Sequence, residues 1–236
     1  MKVYTKKEQI IDAVEAFKAK QLHIGFVPTM GALHQGHLAL VKKGLKDNDK
    51  VVVSIFVNPT QFDNSEDLEK YPRTLEDDVA LLKTVSKDKI LVYAPTVEDI
   101  YEGNTLSQSF DFDGLEFEME GKFRNGHFDG VGTIVKRFFE IVKPHRAYFG
   151  EKDFQQLAII KKLVEKHNMP LKIIGCPIYR ETNGLAMSSR NTRLKPDYKK
   201  AAPFIYKTLK TAKEKFGTKS ANKVLEWVEN EFAKHE

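Results

Sequence analysis

Two histidines three residues apart, His34 and His37, stand in the segment Pro28-Thr29-Met30-Gly31-Ala32-Leu33-His34-Gln35-Gly36-His37. The segment follows an apolar run at 22–27 that reads as a buried strand, and it precedes a helical pattern near Leu38. Glycines at 31 and 36 suit a tight strand-to-helix turn. Residues three apart on a helix share a face, and a helix N-terminus already favours an anion. A phosphate chain bound there would meet imidazoles and backbone N–H groups together. A structural turn with two surface histidines is the bland alternative. A zinc site is another, but no third ligand is spaced nearby.

Other polar groups repeat the arrangement. Asn58-Pro59-Thr60-Gln61-Phe62, Gly150-Glu151-Lys152-Asp153 and the stretch 180–191, which contains Met187-Ser188-Ser189-Arg190, each follow an apolar run. Hydroxyls, backbone amides and arginine suit phosphate oxygens. The uncharged amides of Gln61 and Gln156 suit hydroxyls and a carboxylate.

Strands must carry these motifs to a common place. A β-branched run at 51–57 marks a strand covered on both faces. Strands are expected at 22–27, 51–57, 90–93, 146–149 and 171–175, with helices at 38–45, 75–85, 131–141 and 154–167. Thr5-Lys6-Lys7-Glu8 reads as a capping box that opens an earlier helix bearing Ile10, Ile11, Val14 and Phe17. Strands separated by helix-length segments imply βαβ units and an open parallel sheet. Ligands of such sheets bind beyond the carboxyl ends of the strands, at a topological switch point. The four polar motifs follow the first, second, fourth and fifth strands, so they converge on that edge. Beyond Leu194 the pattern changes to two helices, 197–216 and 220–233, with Ser220 in a capping position. The expected fold is α/β: a Rossmann-like, doubly wound parallel sheet over residues 1–180 and a small, mainly helical C-terminal lid domain over 181–236.

Composition narrows the classes. A chain of 236 residues can bury a full core, about 70–75% of its unfolded surface. Its 41% hydrophobic and 30% charged residues are ordinary for a globular protein. The single cysteine, Cys176, excludes an internal disulfide and fits a reducing compartment. No apolar run reaches the ~18 residues of a transmembrane helix, and the N-terminus lacks the apolar core of a signal peptide. The expected location is the cytoplasm, with no membrane partner. A net charge of +5 admits a polyanion. The basic residues are nevertheless spread along the chain, without the clustered stripe and stacking aromatics of a nucleic-acid binder. An anionic small ligand is favoured.

The pairing of His-x-Gly-His with the Met-Ser-Ser-Arg loop resembles the layout of the nucleotidyltransferase superfamily, in which a HIGH-like turn and a KMSKS-like loop clamp ATP. Segments 28–37, 53–62, 121–128, 149–156 and 180–191, in that order, resemble the pantothenate synthetase (pantoate–β-alanine ligase) family, and the match runs from residue 1 to about 195. The resemblance implies that ATP and (R)-pantoate form pantoyl adenylate and pyrophosphate, and that β-alanine then displaces AMP to give pantothenate. It also implies a cytoplasmic, Mg²⁺-dependent homodimer with small-molecule substrates and no nucleic acid.

The same resemblance implies roles for residues. ATP would meet Met30, Gly31, Ala32, Leu33, His34, Gln35, Gly36 and His37, then Gly150, Glu151, Lys152 and Asp153, then Tyr179, Met187, Ser188, Ser189 and Arg190. His37, His34, Lys152 and Arg190 are the implied catalytic groups, with His37 the proton donor and Lys152 on the α- and β-phosphates. Gln61, Gln156, Met30 and Asn58 would bind pantoate, with Gln61 also facing β-alanine and Asn58 supporting Gln61. Met30 and Phe62 fit the pantoate gem-dimethyl group or plain core packing. Arg124 and His127 border the site or sit in a surface loop. Asp77 is the implied contact near Mg²⁺, although Glu76-Asp77-Asp78 reads equally as the acidic first turn of a helix. The chain departs from the family in Asn125, where proline is usual, in Thr182-Asn183 for Ala-Asp, in Tyr179 for an aliphatic residue, and in a lid short for the family. One alternative is another HxGH nucleotidyltransferase attacking with a phosphate, which would want basic residues in place of Gln61 and Gln156. The other is a non-catalytic nucleotide- or nucleic-acid-binding relative, against which both histidines, Lys152 and Arg190 together argue.

Overall fold

The β-branched and aromatic runs form one six-stranded sheet, all of whose pairings are parallel. The computed structural model describes residues 1–62 and 64–235, in two units, Met1–Ile178 and Tyr179–Glu236. The first unit runs β1 (Val3–Tyr4), α1 (Lys7–Lys18), β2 (Ile24–Thr29), α2 (Gln35–Asp47), β3 (Lys50–Ile55), α3 (Ser65–Glu69), α4 (Leu75–Lys83), β4 (Ile90–Tyr93), α5 (Val97–Tyr101), α6 (His127–Val142), β5 (Arg146–Gly150), α7 (Phe154–Lys166) and β6 (Lys172–Cys176). Strand order is β1-β4-β3-β2-β5-β6. The chain winds outward from β2 in one direction through β3 and β4, and in the other through β5 and β6. The crevice between the carboxyl ends of β2 and β5 is therefore the switch point.

Alternate residues of the strands feed two cores. Phe26 and Val52 pack with Ile10 and Val14 of α1, Phe138 and Phe139 of α6, and Ile159 and Ile160 of α7. Val27, Val51 and Val53 face the other way, against Leu38 and Val41 of α2 and Val79 and Leu82 of α4. Both faces are covered, which is why the strands read as unbroken apolar runs.

Local chemistry revises several boundaries. The expected capping box at Thr5 does not form: Lys6 is the N-cap of α1 and no side chain caps it. Helix α2 begins at Gln35 rather than near Leu38, because His34 itself is the cap. The two-residue edge strand β1 was not expected; it pairs Val3 with Val92 and Tyr4 with Tyr93. A segment this short shows no period in a sequence.

The second unit carries α8 (Pro196–Ala201), α9 (Pro203–Phe216) and α10 (Ala221–Phe232). The expected helix at 197–216 is split, because Pro203 has no N–H to continue the ladder. Ser220 does precede α10, yet its side chain makes no capping bond. Phe204 near the start of α9 meets Phe232 at the end of α10 edge to face, 5.6 Å between centroids, so the two helices run antiparallel.

Candidate active site

The turn between β2 and α2 is built from unusual backbone and held by one carboxylate. Gly31 and Ala32 both take positive φ, +83° and +48°. A Cβ on Gly31 would stand 3.0 Å from Asp78 Oδ2, so glycine is needed for space as well as conformation. Thr29 Oγ1 donates to Ser54 O and accepts from Gly31 N–H. Buried Asp78, in the first turn of α4, accepts from Ala32 N–H at 3.0 Å and Leu33 N–H at 2.7 Å. Burial raises its pKa more than these bonds lower it.

The two histidines cap the helix for each other. His34 Nδ1 accepts from Gly36 N–H at 3.1 Å, and His37 Nδ1 accepts from His34 N–H at 3.2 Å. A neutral imidazole whose Nδ1 accepts carries its proton on Nε2. Both rings, 4.0 Å apart, are therefore Nε2–H donors. Burial pushes the His37 pKa down to about 3, with His34 and Lys152 adding to it. Burial and Lys152 lower His34 as well. At neutral pH His37 is thus a neutral N–H donor, not an imidazolium acid. Lys152, just past β5, is the cation these rings feel, and its ammonium also meets Asp153 Oδ1 at 2.6 Å.

Beside the histidine turn, the turn after β3 presents Gln61. Buried Asn58 donates to Gln61 Oε1 and to Gly130 O, each at 3.2 Å. The Asn58 carbonyl accepts from Tyr101 OH at 2.6 Å and from Thr60 Oγ1 at 3.2 Å. Gln61 Nε2 reaches Met30 Sδ at 2.9 Å, so the glutamine touches the histidine-bearing turn. His127 Nδ1–H donates to Gln61 O at 2.7 Å, which leaves His127 Nε2 to accept from Arg124 at 3.2 Å. Arg124 also donates to Gln61 O at 3.3 Å and pairs with Glu120 at 2.5 Å. Arg124 and His127 therefore hold the Gln61 backbone. Backbone fit is tight here: a Cβ on Gly130 would fall 2.2 Å from Thr60 O. Phe62 packs edge to face on Tyr71, 5.7 Å between centroids.

Neighbouring residues divide into supports and free groups. Gln155 is buried; it donates to Leu115 O at 2.7 Å and Glu118 O at 2.6 Å, and accepts from Glu120 N–H at 2.9 Å. Gln156 is half-buried and has no side-chain partner among the described residues. Asp77 is exposed while Asp78 is buried, so the two adjacent carboxylates have different environments. Among the described residues no three His, Cys, Asp or Glu side chains are grouped to cage a metal. Sequence reading gave no role to Asp78, Tyr101 or Gln155, and none of its own to Thr60 within the 58–62 motif. Only their tertiary partners reveal them.

The remaining residues singled out lie in the second unit. An antiparallel bridge between Arg180 and Ala186 closes a hairpin with Gly184 at φ +94°. Asn183 Oδ1 accepts from Leu185 N–H at 3.0 Å, an Asx turn that aspartate makes equally well, so this departure from the family keeps the local geometry. Met187 N–H bonds Tyr179 O at 3.0 Å. Ser188 Oγ accepts from Arg190 N–H at 3.3 Å and caps a short 3₁₀ turn, Ser189–Arg193. Arg180 stacks on Tyr206 at 3.6 Å.

Comparison with known proteins gives one consistent result. The family model Pantoate-beta-alanine ligase matches residues 2–236. A pantothenate synthetase of Flavobacterium psychrophilum is 62% identical over 232 residues, 98% of this chain and 82% of that protein. One from Christiangramia forsetii is 57% identical over the same coverage. The crystal structure of pantothenate synthetase from Thermus thermophilus superposes with a TM-score of 0.89 at 41% identity, covering 99% of this chain and 82% of that one. The ligase of Francisella tularensis, complexed with β-γ ATP and β-alanine, has a TM-score of 0.83 at 41% identity, covering 89% of this chain and 79% of that one.

Proposed function

The chain belongs to the pantoate–β-alanine ligase family, and we propose that the cluster of His34, His37, Lys152, Gln61 and Gln156 is where it works. The protein is an ATP-dependent ligase that joins pantoate to β-alanine. The observation that carries the site assignment is the pair of Nδ1-anchored imidazoles at the switch point, with Lys152 acting on both.

The chemistry follows from these groups. The pantoate carboxylate attacks the α-phosphorus of ATP; the new P–O bond gives pantoyl adenylate and the electron pair leaves with pyrophosphate. The β-alanine amine then attacks the acyl carbon, an amide forms and AMP leaves. No protein nucleophile is needed. The enzyme's work is to bring anions together and stabilise charge on phosphate oxygens, by positioning and preorganised donors. His34 and His37 supply Nε2–H donors to those oxygens, and Lys152 supplies positive charge. Because His37 is neutral before nucleotide binds, it acts as a hydrogen-bond donor. Gln61, fixed at side chain and backbone, and Gln156, whose amide has no partner among the described residues, orient pantoate. Met30 lies against the Gln61 amide. For Tyr179, Met187, Ser188, Ser189 and Arg190, a role toward ATP stands on the family resemblance alone.

Magnesium entering with the nucleotide would need a single protein carboxylate and no protein cage. Exposed Asp77, with no hydrogen-bond or ion-pair partner among the described residues, would hold it. When bound, the ion neutralises charge on the leaving pyrophosphate. A homodimer is supported by exposed apolar side chains at Leu106, Phe117, Met119 and Phe123. A cytoplasmic location is supported by the lone free cysteine, and among the described residues no helix is long and apolar enough to cross a membrane.

The test is pyrophosphate release from ATP, Mg²⁺ and D-pantoate, followed by AMP release on adding β-alanine. Pantoate-dependent pyrophosphate and β-alanine-dependent AMP are expected. Pyrophosphate formation that ignores pantoate in a folded, ATP-binding protein would sink the assignment.

A further inference from the structure

A second cavity, of ≈ 830 Å³, lies at the opposite edge of the sheet. Its walls are the segments that enter β2, β5 and β6 and the ends of α1 and α6. It is therefore a full strand length from the histidine turn, which leaves β2 at the other end. Its floor is apolar, with Leu22, Phe139, Met169 and Leu171 among the lining residues. A pocket of this size with a few convergent polar groups is the usual form of a small-molecule site.

The polar groups carry a net positive character. The one lining acid, Glu140, is already paired with Lys136 at 2.5 Å. Lys18 meets Glu15 only loosely, at 3.7 Å. Lys143 has no ion pair or hydrogen bond of its side chain among the described residues. It also occupies a left-handed position, φ 43°, at the C-cap of α6, where glycine is the residue that fits without strain. His145 Nδ1 accepts from Ile24 N–H at 2.9 Å, so its proton is on Nε2 and it can donate. His23 lies 4.9 Å from it, ring to ring.

We propose that this cavity binds a small amphipathic carboxylate, its apolar body on Leu22, Phe139, Met169 and Leu171 and its charge met by Lys143 and His145. One unpaired ammonium and one neutral N–H donor match a single negative charge better than a dianion. The site is separate from that of ATP and pantoate.

Octanoate is the probe, followed by the ring C–H NMR signals of the histidines, assigned by the single variants His23→Gln, His34→Gln, His37→Gln and His145→Gln. Octanoate should move the His23 and His145 signals with a Kd of about 1 mM or tighter, since even a modest ligand of this size reaches that range. The His34 and His37 signals should stay, and saturating ATP should not displace it. Lys143→Gly relieves backbone strain, so it folds at least as well as the parent. It should weaken octanoate about fivefold, the scale of one partly exposed ion pair, and leave 1-octanol unchanged. The proposal is overturned if octanoate moves none of the four signals, if it moves those of His34 and His37 or is displaced by ATP, or if Lys143→Gly leaves its affinity intact.

Discussion

Asp78→Asn separates holding a turn from stabilising a fold. The carboxylate accepts two amides of the histidine turn, at 3.0 and 2.7 Å. Hydrogen bonds to a charged group contribute about 1.5–3 kcal/mol each, and a buried amide left without an acceptor costs about 1–3 kcal/mol. The asparagine keeps one acceptor oxygen and turns an NH₂ group toward the other amide. One charged bond lost and one amide orphaned make a gross loss of about 2.5–6 kcal/mol. Against it stands the desolvation of the carboxylate. Burial is the larger influence on its pKa, which is raised despite the amides. Relieving the buried charge therefore offsets part of this loss. The net change in stability should be small, a Tm shift within about 5 °C at the 2–4 °C per kcal/mol expected for a chain of this size.

The rate should tell a different story. Ala32 sits at φ +48°, a conformation an L-residue holds only under constraint. With one clamp bond lost, the turn relaxes and the His34 and His37 rings move with it. Misplacing a catalytic group by about 1 Å costs about 10²-fold, so pantoate-dependent pyrophosphate release should fall about 10–100-fold. Exposed Glu76→Gln, two residues away, serves as the control and should change neither Tm nor rate. A raised carboxyl pKa means the folded state holds the proton more tightly than the unfolded state. Its contribution is then present below the ordinary carboxylate value and is lost as pH rises through the raised one. The Tm advantage of the parent over Asp78→Asn should accordingly shrink from acid to neutral pH. A Tm loss above about 10 °C with an unchanged rate per folded molecule would refute the reasoning and make Asp78 a plain structural support.

His37→Gln should fold and lose about 10²–10³ in adenylation rate, the scale of one preorganised donor; unchanged pyrophosphate release would displace the triphosphate from this turn. A His37 pKa depressed to about 3 contributes stability above the ordinary imidazole value and loses it as pH falls. His37→Gln should therefore flatten the acid limb of the Tm–pH curve, and the parent's His37 ring signal should not titrate between about pH 5 and 8. Gln155→Ala, which removes three bonds to the 115–120 segment, should lower Tm. Gln156→Ala should leave Tm alone and raise KM for pantoate; the reverse pattern would exchange their roles.

The strands that carry the site were legible because both faces of the sheet are covered. Ile90–Tyr93 is an apolar run from end to end, and the 51–57 run differs from β3 by Lys50 gained at the start and two residues lost at the end. The histidine turn was legible because its residue types are rare in combination and sit between a strand and a helix. What surrounds it was not legible, for a physical reason visible in two adjacent pairs. Asp77 and Asp78 differ by one step of a helix, about 100° of rotation, which puts one in solvent and the other under the backbone of the turn. Gln155 and Gln156 differ by the same step, and one is consumed by the 115–120 segment while the other has no side-chain partner among the described residues. Rotation about a helix axis is fixed by what the helix packs against, and α4 and α7 pack on opposite faces of the sheet. Tyr101 lies 43 residues from the Asn58 carbonyl that it steadies, so no local pattern marks it.

The imidazoles are neutral donors for a related reason, although a proton donor at His37 is what the family resemblance implies. Charge on a histidine depends on how much water and how many cations surround it, and Lys152 reaches His37 only once β2 and β5 lie side by side. Burial and that cation work against protonation together. A site whose ligand is a polyanion then starts from donors that need no proton, and the negative charge of the arriving phosphates can only raise both imidazole pKa values. Binding should therefore be coupled to proton uptake whenever the raised value nears the ambient pH, and a site built from permanently charged side chains would show no such coupling.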